Sequence, residues 1–162
     1  MAFSNTGTGE RGLTFVEILI VVAILGILFV MVFVGVNSAR KKSQDVKVRN
    51  DVRQLRLLAE EVFDNAGASY LAWTTNPLVA AQVATLVSDL VAAHGIEGAV
   101  QADYVSLIDS RESEFCVSGK LVVPNNGDYW CVDASGRFFA IDSPCAEPAN
   151  ASEPLTCPES TP

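Results

Sequence analysis

Apolar positions follow three successive patterns along this chain. The first is a run, Leu13–Val36, that carries one charged residue, Glu17. As a helix its twenty-four residues span about 36 Å, more than a hydrocarbon core of about 30 Å. The second pattern is a stripe in which Val48, Val52, Leu55, Ala59 and Val62 recur at spacings of four and three, with Leu58 on the same face. This is the period of an amphipathic helix. Asp64-Asn65-Ala66-Gly67 supplies a stop. Together the two predict one helix from Leu13 to about Asp64, roughly 78 Å long. Gly26 and Gly35 read as ordinary membrane-helix glycines, because their spacing is not that of a GxxxG motif.

A second helical region is expected between Tyr70 and Gly98. There Val79, Val83, Leu86, Leu90 and Ala93 repeat the same spacing. Asn76-Pro77 offers a cap followed by proline at the first helical position, and Gly95 a C-terminal stop. Tyr70 and Trp73 are expected to pack over the junction of the two helices. His94, the single histidine, reads as a surface residue complementing the helix dipole.

The third pattern is β-like. Phe115–Val123, Tyr129–Asp133 and Arg137–Ile141 are rich in strand formers. They are separated by the turn signals Pro124-Asn125-Asn126-Gly127-Asp128 and Ala134-Ser135-Gly136. A three-stranded antiparallel meander follows, one face lying on the two helical stripes. Asp133 and Ser135 are expected as turn residues whose side chains bond nearby backbone. The fold class is α+β: a long helix, transmembrane in its first half, packed against a small head with an antiparallel meander.

Charge divides the chain sharply. From Asn37 to Arg56 seven bases stand against two acids, and from Leu57 onward fifteen acids stand against three bases. An acidic head of this kind does not attract nucleic acid, so no direct nucleic-acid partner is expected. In a polymer the acidic head could meet a neighbour's basic stem. Asp109, Glu112 and Glu114, with Asp128 and Asp133, match no calcium loop and read as a solvated acidic face. No nucleophile elbow, P-loop, zinc-protease helix or dinucleotide fingerprint is present, so we expect no enzyme and no cofactor.

Glu17 demands a partner. A carboxylate in a membrane-length segment costs about 2.5–3.5 kcal/mol on insertion scales. A cut after Gly12 would create an α-amino group at Leu13, about one helical turn from that carboxylate. Nothing after the run resembles a signal-peptidase site, because Val36-Asn37-Ser38-Ala39 leads directly into Arg40-Lys41-Lys42. The anchor would therefore stay on the mature protein.

The stretch from Gly12 through Leu28, GLTFVEILIVVAILGIL, resembles the class III signal of type IV pilins and pseudopilins. The resemblance covers about the first fifth of the chain. It implies a prepilin peptidase that cuts after Gly12 and N-methylates Leu13, where the family usually has phenylalanine. It also implies that Glu17 neutralises the N-terminus of an adjacent subunit during assembly. Tyr129–Gly136 resembles, more weakly, a segment found in the heads of some pilin-like proteins.

On that reading, residues 1–12 are a leader and 13–36 the transmembrane or filament-core half of the first helix. Residues 37–64 are its amphipathic half, 65–145 the globular head, and 146–162 a Pro/Ser/Glu-rich C-terminal segment. The expected partners are further pilin subunits, the same or different, with the prepilin peptidase, an inner-membrane assembly platform and the membrane. The head is expected outside the cytoplasm, on a surface pilus or a pseudopilus. A pseudopilin of a type II secretion or DNA-uptake system, and a monomeric membrane-anchored binding domain, are the alternatives. Arg40, Lys41 and Lys42 run against this topology, since positive residues favour the cytoplasmic side. The cysteines and the signal favour the opposite orientation.

The four cysteines, Cys116, Cys131, Cys145 and Cys157, contain no CxxC pair, so no metal site is expected. Two disulfides are expected, with three connectivities open. We favour Cys116–Cys131, stapling the β-region, and Cys145–Cys157, closing a C-terminal loop that resembles the disulfide-closed region of type IV pilins.

Overall fold

One helix, α1 (Phe15–Asn65), joins the apolar run to the amphipathic stripe without a break. The structure is a computed structural model and describes residues 12–95, 101–123, 127–150 and 152–158. The predicted leader therefore lies outside the described residues except for Gly12, as do Gly98 and the Pro124-Asn125-Asn126 turn. The chain divides into two compact units, residues 1–39 and 40–162.

In the first unit, the described apolar side chains from Leu13 to Val32 all face outward. α1 is long and apolar enough to cross a membrane. No Cβ built on Gly26 or Gly35 meets another atom within 4 Å, so packing within the chain does not require glycine at either position.

In the second unit, the stripe becomes the core. Val48, Val52, Leu55, Ala59 and Val62 are all buried. They meet Val79, Val83, Val87 and Leu90, all on or beside α2 (Ala80–Ala92). α2 is shorter than the expected region. Asn76 does act at its approach, its Oδ1 accepting the Leu78 amide at 3.0 Å, but a turn intervenes before the helix begins. Gly95 takes φ +65°, the left-handed conformation expected after a helix end. Tyr70 and Trp73 are buried as expected, packed around Phe115.

Among the described residues four strands, not three, form the sheet: β1 (Val105–Ile108), β2 (Cys116–Lys120), β3 (Tyr129–Asp133) and β4 (Phe138–Ile141). They lie in sequence order, all antiparallel. The strand missing from the expectation, Val-Ser-Leu-Ile, is short and carries no aromatic residue or flanking glycine to mark it.

Alternation sorts the strand residues onto two faces. Leu107, Val117, Val132 and Phe138 form a cross-strand row on the helix side. Gly119 is also on this face, and a Cβ there would lie 2.8 Å from Val52 Cγ2 and 3.3 Å from Val48 Cγ1. Its missing side chain lets α1 lie close against β2, so Gly119 is a packing residue inside the strand.

The opposite face holds a second core of Ile108, Cys116, Cys131 and Ile141. The segment after β4 covers it, contributing Cys145, Leu155 and Cys157. The disulfides are Cys116–Cys145 and Cys131–Cys157, which corrects the favoured pairing. The reason lies in the register. Cys116 stands opposite Asp133 and Cys131 opposite Ser118, so the two cysteines are diagonal neighbours on one face. Their sulfurs come within 3.5 Å. Both point into the covering segment, which lies across the sheet instead of closing on itself.

Candidate functional site

Thr14 starts α1. Its carbonyl accepts the amides of Glu17 at 3.1 Å and Ile18 at 3.2 Å, and its Oγ1 receives the Glu17 amide at 3.3 Å. Threonine followed three residues later by glutamate is a helix-start signature, overlooked in reading the sequence. The cap keeps Gly12 and Leu13 outside the helix, where both are exposed. A Cβ on Gly12 meets nothing within 4 Å, so packing does not demand glycine there.

The Glu17 carboxylate lies in the first turn, where the helix dipole favours negative charge. Its side chain has no hydrogen bond or ion pair within the described residues. Around it stand Leu13, Phe15, Ile18 and Ile20, all exposed. Gly12, Leu13 and Glu17 thus share one short segment: an accessible peptide bond, the residue that cleavage would make N-terminal, and an unpaired acid in apolar surroundings.

Of the acids expected on a solvated face, Asp109, Glu114 and Asp133 have side-chain partners instead. Asp109 accepts from Thr74. Glu114 pairs with Arg111 at 2.8 Å and receives the Leu155 amide at 2.9 Å. Asp133 is fully buried, and its role exceeds that of a turn residue. It accepts from Ser135, from the amides of Arg137 and Cys157, and from Arg137 Nε. Burial acts to raise its pKa, but these hydrogen bonds and the Arg137 charge prevail and hold the carboxyl below the usual value. Among the described residues, Cys116, Cys131 and Cys145 alone cluster like metal ligands. Their sulfurs are committed to disulfides and offer no thiolate.

His94 is not a simple surface residue. Its ring is half-buried against Tyr104, and its Nε2 lies 3.0 Å from the Lys120 carbonyl. Burial pushes its pKa down, the Lys120 charge adding to this against the hydrogen bond to the carbonyl. On the inner helix face Asp51 is buried, with one carboxylate oxygen unpartnered. Burial raises its pKa although Lys47 opposes this. Neither position was singled out from the sequence for these roles, because only the tertiary packing creates them.

Comparison with protein families, with curated proteins and with solved structures finds no match to this chain.

Proposed function

We propose that this chain is a structural subunit of a type IV pilus-like filament. The prepilin peptidase cuts after Gly12 and methylates Leu13. The Glu17 carboxylate of one subunit then pairs with the Leu13 ammonium of its neighbour as the apolar helices bundle. The observation that carries this reading is the Thr14-capped start of α1, which leaves an exposed Gly12–Leu13 bond beside the unpartnered Glu17. A stranded carboxylate in an apolar bundle is costly, and a terminal ammonium within reach removes that cost. The disulfide-locked head fits an oxidising compartment.

Mass spectrometry of filaments sheared from the native host tests the reading. The expected species begins at methylated Leu13 and sediments with filaments visible by microscopy. A mature protein that retains residues 1–12 and stays monomeric would overturn it.

A further inference from the structure

A groove of about 580 Å³ runs between α1 and the inner sheet face of the second unit, lined by Ser43, Lys47, Arg49, Asn50, Arg53 and Trp130. The Arg49 guanidinium sits 4.6 Å over the Trp130 ring, and that of Arg53 lies 5.1 Å over Phe138. Neither arginine forms an ion pair among the described residues. Arg49 Nε and Trp130 Nε1 are both buried with no acceptor. The two guanidinium groups, neither paired with a carboxylate, make the groove electropositive and suited to an acidic group.

The chain carries such groups at the other end of the same unit. The β2 end lies beside the first residues of α1 in this unit, because the Val122 and Val123 amides bond to Asp45. The β1–β2 turn lies beyond the far end of α1, where the amides of Tyr70 and Ala72 bond to the carbonyls of Glu112 and Asp109. Glu112 and Glu153 are exposed there, with Arg111 tying the turn to the Glu153 carbonyl. From Arg49 to Asn65 the helix rises about 24 Å. The unit is therefore basic toward one end of its helix and acidic beyond the other.

We infer that the Arg49–Arg53–Trp130 groove docks the acidic β1–β2 turn and covering segment of a second copy of this chain. The inference rests on the proposed filament and names the contact between its heads. Net charge −8 and the segregation of bases onto α1 make the two surfaces complementary. Because the two patches differ, the contact is head-to-tail. Such contacts generate open helical assemblies unless the rotation closes a ring.

Charge reversal in the full chain, expressed in the native host, tests the contact. Arg49→Glu with Arg53→Glu should lower sheared filament yield at least about tenfold while leaving cleavage after Gly12 intact. Adding Glu112→Lys and Glu153→Lys to that variant should restore at least about half the yield, which a misfolded head would not allow. Normal yield from the arginine variant overturns the inference and leaves the filament reading standing. Loss without rescue also overturns it. So does an arginine variant that assembles normally but loses binding to duplex DNA, since the groove would then serve nucleic acid. A wild-type chain that forms no filament overturns both readings.

Discussion

Asp133 Oδ2 accepts the backbone N–H of Cys157 at 2.9 Å, so the last strand-borne carboxylate of β3 and the second disulfide hold the covering segment at the same place. Asp133→Ala removes the acceptor for the Cys157 and Arg137 amides and for two side chains. The variant should lose about 3–5 kcal/mol of head stability, measured by denaturant unfolding, because buried donors are left unpaired. Its folded pKa lies below the ordinary 3.8. Between the two values the unfolded chain binds the additional proton, so this contribution is present above pH 3.8 and fades as pH falls below it.

The disulfide pattern gives a direct chemical test. Peptide mapping without reduction should recover Cys116 linked to Cys145 and Cys131 linked to Cys157. Sequence separations of 29 and 26 correspond to about 3.5 kcal/mol each in the chain-entropy model. Replacing Cys145 and Cys116 together by serine should therefore lower the unfolding midpoint while leaving the second bridge intact. Recovery of Cys116 linked to Cys131 would contradict the register described above.

Gly119→Ala tests the close approach of α1 to β2. Its new methyl would meet Val52 Cγ2 at 2.8 Å, a contact that requires the helix or strand to shift. A loss of about 1–3 kcal/mol is expected. Recovery in the double variant Gly119→Ala, Val52→Ala would identify the clash as the cause. No loss in the single variant would mean that α1 sits farther from the sheet.

On the proposed filament reading, Glu17→Ala should be cleaved after Gly12 yet fail to assemble, because the neighbour's terminal ammonium would lose its counter-charge. Immunoblotting of cells and of sheared fractions separates the two effects. A filament yield equal to wild type would remove the electrostatic pairing from the proposal.

His94 and Asp51 set opposite slopes. The folded pKa of His94 lies below 6.5, so stability should fall as pH drops below that value. His94→Gln should flatten the difference between unfolding midpoints at about pH 7.5 and about pH 5.5. Asp51 is raised above 3.8, so ionising it at neutral pH costs stability once pH exceeds the folded value. Asp51→Asn should raise Tm at neutral pH. A lowered Tm would show that Lys47 compensates the carboxylate fully.

The long helix was legible because two periodic patterns abut without a breaker, and the structure begins and ends it within two residues of the expectation. β3 and β4 were legible from aromatic and β-branched runs between turn signals. β1 was not, since Val105-Ser106-Leu107-Ile108 gains its identity only by pairing with β2. The disulfide partners were hidden for a related reason. Spacing along the chain suggested local pairs, but alternation put Cys116 and Cys131 on one face, where the segment carrying Cys145 and Cys157 folds over them. At the start of α1, Gly12, Leu13 and Glu17 were singled out from their order alone. The groove at Arg49 and Trp130 was not, because its two halves lie some eighty residues apart.

Both bridges join a strand to residues that follow the last strand. Cys145 and Cys157 must therefore be synthesised, after all four strands, before the two covalent locks can close. A product truncated ahead of Cys145 would expose an uncovered apolar sheet and two unmatched thiols, visible to proteases and oxidoreductases alike. The clasp can therefore close only on a chain that already carries the segment after β4.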